Sequence, residues 1–472
     1  MKHEAFLPVG VAMMSQSSLL QKTVMSLGIL VCGFSGTEWV SAQNVTFPPK
    51  LPGGKTMITD RLPDVLRPVG DLLPGTIIAQ KAPIIDFLYF PGQNYEGKPW
   101  SNWGDGCFAN GKYYTAIGDH FAINGRGDFK HGTGTGLVFE YDPKTKKLRQ
   151  LANTSSILKM PKGHYTPGKI HSRVDLGDDG WLYYATHRGS KRATTDAFHY
   201  KGDWIFRTNP KTGKSEVVAH GPVKNHSIPT SILDPKRLIF YGGTAAGMNT
   251  KDDKEIRFFA YDLRKKKMLY NGPNGPARYL FFSPSNGCVY FVPGNKDGQL
   301  MRFNPKVGKP EPVPGVTMGI RAATRETEDG KVYTVSIGQR SSNATIWEFD
   351  TKTETVRKVG TAAVGSQAYV ASLDVGPRGR YLYYVPGAHG GGPRDGTPVV
   401  QYDLKTGHRK VLAFLHPYFQ RKYGFTLKGT YSTALSDDGS QFFITFNVSR
   451  GSRAWDTCGL VVIHIPESER KR

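Results

Sequence analysis

The stretch GKIHSRVDLGDDGWLYYATHRGSKRATTDAFHYKGDWIFRTNPKTGK, residues 168–214, decides the fold. Extended runs rich in aromatic and β-branched residues alternate in it with turns rich in Gly, Asp and Pro. With the run that follows, they form a four-stranded antiparallel meander. The four runs are Ile170–Leu176, Trp181–Thr186, Trp204–Thr208 and Ser215–Ala219.

The third run and its turn recur at intervals of roughly 40 to 70 residues, the range of one propeller blade. In six copies an aromatic residue or Thr precedes Asp or Asn, and a Lys-containing turn follows; the last copy is degenerate. The sequence therefore predicts an all-β fold, a seven-bladed β-propeller of four-stranded antiparallel blades spanning residues 101–472. The copies begin at Gly136, Ile205, Arg257, Leu300, Thr345, Val399 and Gly459.

Residues 43–100 are rich in Pro and carry no repeat. The seventh copy ends at Ile465 without a fourth strand, so we expect an apolar run of this N-terminal segment to supply it and close the ring. The candidates are Thr76–Ile78 and Ile84–Phe90. Closure would remove the exposed sheet edges that promote aggregation.

Residues 1–42 resemble a signal peptide. The apolar segment Val24–Phe34 follows Lys22, and Val40-Ser41-Ala42 is a small-residue cleavage pattern. The apolar core is too short to cross a membrane. We therefore expect an exported protein without a transmembrane segment, periplasmic or extracellular, and a monomer.

Export permits disulfides, and three cysteines follow the signal peptide: Cys107, Cys288 and Cys458. In a closed propeller the first and last blades are neighbours, so Cys107 and Cys458 could bridge the seam. Three buried, unpaired thiols are an equally consistent alternative. The spacing is not that of a metal site.

The formal charge of +23 is spread through the blades. Such a field attracts polyanions. No zinc finger, helix-turn-helix or aromatic RNA-binding pattern accompanies it, so we expect an acidic polysaccharide or oligosaccharide as partner and no nucleic acid.

The innermost strand of each blade lines the axis of a propeller. Aligning the turns after these strands places one residue per blade in a common ring, and six of the seven are polar. The ring consists of Asn102, His171, Ser227, Arg278, Arg321, Val370 and Thr430.

The ends of the second strands face the same side of the ring and are also rich in His and Arg. His171 and His187 lie on adjacent strands of one blade, and Arg278 and Arg321 call for a carboxylate or sulfate partner. We predict a substrate-binding set of His120, Arg188, Arg278, Arg321, Arg340, Tyr369, His389, Tyr431 and Arg450.

The sequence has no nucleophile elbow, Walker loop or HExxH motif. A site rich in cations, His and Tyr suits β-elimination from a uronic acid. A cation neutralises the carboxylate, His or Tyr removes the C5 proton, and Tyr or His protonates the leaving oxygen.

The run from His171 through Asp178-Asp179-Gly180 to His187 resembles the blade motif of propeller polysaccharide lyases such as ulvan lyases. Oligogalacturonate lyases are similar in architecture. The resemblance implies a cationic canyon with catalytic His171 and His187, and it leaves a divalent metal ion open as cofactor, zinc, calcium or manganese, with no ligand set assigned. Tyr200 and Arg207 are the further catalytic candidates it suggests. Tyr369 and Tyr431 are alternatives for the acid.

These observations together favour an exported lyase for an acidic, uronic-acid-containing and sometimes sulfated polysaccharide. One alternative is a non-catalytic propeller that binds an anionic glycan or a protein. Another is a metal-dependent hydrolase or lactonase, which would need ligands such as Asp119, His120, His187 and His389.

Overall fold

Seven sheets surround one axis in a computed structural model of the protein, as a β-propeller whose blades have four or five strands. The structure describes residues 45–97, 99–120, 134–248, 254–336, 338, 344–451 and 455–470. The predicted signal peptide and Arg340 lie outside these ranges. In the described part of the chain, no helix is long and apolar enough to cross a membrane.

Three strands precede the blades: β1 (Ile58–Asp60), β2 (Thr76–Ile78) and β3 (Ile84–Tyr89). Blade one contains β4 (Cys107–Ala109), β5 (Lys112–Gly118), β6 (Gly136–Asp142) and β7 (Lys147–Asn153). Blade two contains β8 (Lys169–Ile170), β9 (Asp175–Leu176), β10 (Leu182–His187), β11 (Trp204–Thr208) and β12 (Ser215–His220). Its inner strand is interrupted, because β8 and β9 pair with different parts of β10.

The next three blades have four strands each. Blade three contains β13 (His226–Asp234), β14 (Ile239–Ala246), β15 (Phe258–Asp262) and β16 (Lys267–Gly272). Blade four contains β17 (Leu280–Ser283), β18 (Cys288–Phe291), β19 (Gly298–Phe303) and β20 (Pro310–Met318). Blade five contains β21 (Ala322–Ala323), β22 (Lys331–Val335), β23 (Thr345–Asp350) and β24 (Thr355–Thr361).

The last two blades each take up part of the N-terminal segment. Blade six contains β25 (Asp374–Val375), β26 (Tyr381–Tyr384), β27 (Pro398–Asp403) and β28 (Arg409–Phe414). Blade seven contains β29 (Thr426–Leu435), β30 (Gln441–Ser449) and β31 (Thr457–His464). The described α-helices are short: α1 (Thr154–Leu158), α2 (Tyr418–Tyr423) and α3 (Glu467–Arg470).

The predicted closure of the ring is confirmed. β3 pairs antiparallel with β31, from Ile84 opposite His464 to Tyr89 opposite Gly459, and is the fourth strand of blade seven. β1 extends this sheet as a fifth strand. The other apolar run, β2, pairs in parallel with β28 and so extends blade six.

The hydrophobic core is divided into clusters between neighbouring blades. Successive side chains of a strand point to opposite faces, so adjacent apolar residues of a second strand enter different clusters. Tyr113 packs towards blade seven and Tyr114 towards blade two. Phe443 packs towards blade one and Phe442 towards blade six. The paired aromatic residues of the repeat therefore hold each blade to both neighbours.

The repeated Asp or Asn forms the turn that follows each third strand. Its side-chain oxygen accepts hydrogen bonds from the backbone N–H groups two and three residues later, which is an Asx turn. The residues that do this are Asp142, Asn209, Asp262, Asp350 and Asp403. These residues shape the blades at their outer hairpins.

None of the three cysteines in the described part of the chain forms a disulfide. Cys107, Cys288 and Cys458 are all buried and unpaired, which is the alternative considered above. Cys107 lies on the inner strand of blade one, whereas Cys458 lies on the third strand of blade seven, with its Sγ 3.8 Å from Asn447 Oδ1. The two thiols thus occupy different radial positions at the seam.

Replacing Phe87 by Ala should destabilise the ring closure. Phe87 is fully buried on β3 and stacks on Phe425 with a centroid distance of 4.4 Å. We expect a loss of about 3–5 kcal/mol in the free energy of unfolding, measured with urea. Ile77→Ala, at a 43% exposed position of β2, is the control. It should change stability by no more than about 0.5 kcal/mol. Equal effects of the two variants would contradict the role assigned to β3.

Candidate functional site

The starts of the inner strands converge at one end of the axis and bring polar and aromatic side chains together. We call this group the mouth cluster. It consists of Trp103, Lys169, His171, His187, Arg188, Arg278, Arg321, Tyr369, His389 and Tyr431. Eight of these ten residues were predicted from the sequence; Trp103 and Lys169 were not.

Trp103 is the centre of the aromatic contacts. Its ring is stacked on His171 at a centroid distance of 5.9 Å, and it lies 5.8 Å from His389 and 5.0 Å from Tyr431. Gly104 permits this approach, because a side chain there would clash with the backbone oxygen of Ser172. A flat, partly exposed indole at the mouth is a surface on which a sugar ring can stack.

His171 and His187 are held side by side by the ladder between β8 and β10. His187 is paired with Lys169, and the two imidazole centroids are 5.1 Å apart. Nδ1 of His171 lies 2.6 Å from the carbonyl oxygen of Pro229, and Nδ1 of His187 lies 2.6 Å from that of Arg188. A carbonyl can only accept, so both Nδ1 atoms donate and each Nε2 keeps the lone pair in the neutral ring.

The two imidazoles are neutral at physiological pH. Burial, followed by the charges of Lys169, Arg278 and Arg321, lowers the pKa of His171 well below its ordinary value. Burial and the charges of Lys169 and Arg188 do the same for the pKa of His187. Both side chains can therefore accept a hydrogen bond or a proton, but they do not carry the charge that would neutralise a carboxylate.

The charge of the mouth cluster comes from Arg and Lys. Arg321 is buried and donates from Nε to the Tyr369 hydroxyl at 2.7 Å, with its guanidinium 5.5 Å from the Tyr431 ring centroid. Arg188 donates to Ser227 Oγ and to the carbonyl of Ala245. Arg278 is exposed at the mouth.

Lys169 is buried at 7% exposure, with Nζ 4.3 Å from the centroid of Trp103. Burial and the charges of Arg188 and Arg278 lower the pKa of Lys169 to about 7. Within the described ranges, no carboxylate forms an ion pair with Lys169, Arg188, Arg278 or Arg321. Four cations without a counter-ion form a site for an anion.

Tyr369 and Tyr431 stand beside the cations, with centroids 6.4 Å apart. The Tyr431 hydroxyl lies 2.5 Å from Nδ1 of His389. Burial and the neighbouring Tyr369 raise the pKa of Tyr431, so its phenol stays protonated. The two tyrosines thus place hydroxyl groups at the mouth that can donate to a ligand.

A second polar group on the axis adjoins the mouth cluster, and one cavity touches residues of both. We call it the axial network: Asp105, Arg173, Tyr279, Ser372, Asp374 and Thr433. Asp105 accepts hydrogen bonds from Tyr279 at 2.9 Å and Ser372 at 2.8 Å, and Arg173 Nη1 lies 3.7 Å from its carboxylate. Burial and the charge of Asp105 raise the pKa of Asp374 to about 7.

Tyr200 and Arg207 have partners of their own, Tyr200 next to Arg188 of the mouth cluster and Arg207 farther from the axis. The buried Tyr200 donates to Asp203 at 3.2 Å. Arg207 lies on β11, the third strand of its blade, where it pairs with Glu216 and covers the Trp181 ring at 4.4 Å. Arg207 lies on the third strand of its blade and therefore off the axis, whereas Tyr200 lies in the loop before that strand.

His120 and Arg450 also have local partners. His120 Nε2 lies 2.7 Å from the carbonyl oxygen of Gly189, at the edge of the mouth cluster, with its ring centroid 5.7 Å from Trp103. Arg450 pairs with Asp456 at 2.7 Å. Arg340 falls outside the described residues.

The ligands expected for a metal-dependent hydrolase are not assembled. Asp119 accepts hydrogen bonds from Tyr95 and from the backbone of Thr135. Throughout the described part of the chain, no three His, Cys, Asp or Glu side chains lie close enough to share a metal ion.

No model of a known protein family matches the chain, and no curated protein sequence does. Similar solved structures include an oligogalacturonate lyase in complex with manganese, 13% identical, covering 88% of this chain and 99% of that chain at a TM-score of 0.50. An oligogalacturonate lyase from Vibrio parahaemolyticus is 9% identical, covering 88% and 100% at 0.51. A chain of the mitotic checkpoint complex is 11% identical, covering 86% and 97% at 0.48. This likeness supports the propeller fold and does not extend to one lyase family.

Removing the buried charge of Lys169 should change how stability depends on pH. Between pH 7 and 10.5 the unfolded chain binds more protons at Lys169 than the folded protein does, so this lysine destabilises the fold most at the lower end. We expect Lys169→Met to be more stable than wild type at pH 7, with the difference shrinking as pH rises. Urea unfolding at a series of pH values measures it, with Lys201→Met on the same blade as the control. A difference independent of pH would contradict the environment described for Lys169.

Proposed function

We propose that the chain is an exported lyase that cleaves an acidic polysaccharide or oligosaccharide by β-elimination. The observation that carries this proposal is the combination, in one mouth, of unpaired cations, neutral imidazoles and tyrosine hydroxyls. Elimination next to a carboxylate needs a cation, a proton acceptor and a proton donor. The propeller fold is compatible with it, since two of the similar solved structures are oligogalacturonate lyases.

In this proposal Arg278 and Arg321 bind the uronate carboxylate. A guanidinium pairs with a carboxylate through charge-assisted hydrogen bonds, and this pairing withdraws electron density from the adjacent C5–H bond. Arg321 is the better oriented of the two, because its Nε is fixed by Tyr369 and its Nη1 lies 3.4 Å from the carbonyl of Ala371. Developing charge on the carboxylate in the transition state strengthens both contacts.

His171 and His187 present their Nε2 lone pairs to the same space. The sequence suggested two roles for them, base or carboxylate neutraliser, and their lowered pKa values favour the role of acceptor. They accept a hydrogen bond from a sugar hydroxyl or a proton from carbon. The stacked Trp103 fixes the ring of His171 in place.

Tyr431 and Tyr369 are the candidate acids. A phenol that remains protonated can give its proton to the leaving glycosidic oxygen. Tyr431 has a neighbouring imidazole, His389, that can return a proton to it afterwards. Tyr200 is buried, and its hydroxyl donates to Asp203 instead of contacting an imidazole.

The residues do not fit a divalent metal ion in the mouth. The nearest pair of imidazoles is surrounded by cations, and no third ligand joins it in the described ranges. We therefore derive no step through a metal ion.

The elimination assay tests the proposal directly. We expect the mature chain from Gln43 to raise the ultraviolet absorbance of at least one uronic-acid polymer, because elimination forms a double bond conjugated to the carboxylate. The polymers are tested with and without a chelator, and a chelator-sensitive rise would add a metal. No rise with any polymer, together with salt-sensitive retention on the same polymers, would replace the lyase by the non-catalytic binding propeller.

Arg321→Met should lower kcat/KM by about 100-fold or more, since it removes a charge that stabilises the transition state. Arg357→Met is the matched control, because Arg357 pairs with Glu348 on the outer strands of blade five. We expect this control to keep wild-type activity. Full activity of both Arg321→Met and His171→Ala on the cleaved polymer would overturn the site assignment.

A further inference from the structure

Lys169 occupies the position in blade two that faces the mouth most directly. It is the first residue of β8 and is paired with His187 at the end of β10, so this ladder fixes its backbone position. The stem is enclosed by the protein, and Nζ lies over the Trp103 ring. A group bound against this indole therefore lies next to the Lys169 amine.

The surroundings of Lys169 disfavour its ammonium form. The charged or titratable groups that face it are Arg188, Arg278, His171 and His187. Arg188 is held by Ser227 and Ala245, so it cannot turn away. In the described part of the chain, no Asp or Glu is among the groups that face Lys169. A buried amine surrounded by cations gives up its proton easily and becomes a nucleophilic or basic group.

The imidazoles are weaker proton acceptors in the same field. Their Nδ1 hydrogens are already given to backbone carbonyls, and burial, together with the neighbouring positive charges, lowers the pKa of both rings well below its ordinary value. A general base works best when its pKa lies near the working pH. In this mouth that condition is met by the amine, whose pKa is about 7.

We propose that Lys169 is the general base of the elimination, a proposal that rests on the proposed lyase function. The neutral amine takes the C5 proton of the bound uronate and becomes an ammonium. The electron pair of the C5–H bond forms the C4–C5 double bond, and the C4–O bond breaks. The departing oxygen keeps the electron pair of the C4–O bond and takes a proton from the phenol of Tyr431 or Tyr369. Proton exchange with solvent then restores amine and phenol.

Binding of the substrate makes this base stronger. The carboxylate that enters between Arg278 and Arg321 cancels part of the positive field that lowers the proton affinity of Lys169. His171 and His187 are then left to accept hydrogen bonds from sugar hydroxyls. The same cations thus keep the amine unprotonated before binding and hold the substrate during reaction.

The test compares Lys169→Met, Lys169→Arg and the exposed control Lys201→Met on the polymer that wild type cleaves. Loss of a general base costs about 100-fold to 10,000-fold in kcat. We expect that loss in both Lys169 variants, because Arg keeps the charge but cannot act as a base at these pH values. Lys201→Met should retain wild-type activity. Far-ultraviolet circular dichroism confirms that each variant is folded.

Two readouts separate a base from a structural role. The kcat/KM of wild type should fall as the pH decreases through about 7. The residual kcat/KM of Lys169→Met should not show this decrease. Small primary amines should restore part of the activity of Lys169→Ala and leave wild type unchanged. A purely structural lysine would give neither result.

The outcomes distinguish this assignment from the function on which it rests. If wild type eliminates no polymer, the lyase proposal fails and the base assignment falls with it. If wild type eliminates but Lys169→Arg keeps more than about a tenth of its activity, only the base assignment is overturned. If the kcat/KM of Lys169→Met still falls as the pH decreases through about 7, the base is likewise another residue.

Discussion

The pairing of β3 with β31 is the constraint on which the rest of the molecule depends. It joins residues 84–89 to residues 459–464, which are 370 to 380 positions apart, and completes the last blade. Without it, blade seven would end in an open edge and blades one and seven would not be held as neighbours. The convergence of seven inner strands on one axis requires this contact, because no shorter-range pairing in the ring replaces it.

Convergence on the axis also explains the electrostatics of the mouth. Lys169 and Arg188 come from blade two, Arg278 from blade four and Arg321 from blade five. Closing the ring brings Lys169, Arg188, Arg278 and Arg321 into one concave space without a described acidic partner. Their repulsion opposes folding, and a bound anion relieves it. The electrostatic repulsion that destabilises the folded protein therefore contributes to its affinity for anions.

The fold could be predicted from the sequence because the repeat occurs seven times, once in each blade. An Asp or Asn turn in six of the copies and paired aromatic residues in several of the second strands fix strand order and facing. The ends of the second strands gave His187, and the alignment of the turns after the inner strands found His171, Arg278 and Arg321. It missed Lys169 and Trp103 because it sampled a single position per blade, and these two lie beside that position. Arg207 and Tyr200 were suggested by the resemblance to propeller polysaccharide lyases, which covers one blade motif and carries no information on their distance from the axis.

The axial network has a consequence for cooperativity. Asp105 of blade one meets Arg173 of blade two, Tyr279 of blade four and Ser372 of blade six, and Ser372 in turn meets Thr433 of blade seven. Five of the seven blades therefore share one buried carboxylate. Repeat proteins whose units contact only their neighbours can open one unit at a time. Here the opening of any of these blades removes a partner from a buried charge that the other four also hold, which couples them into a single all-or-none unit.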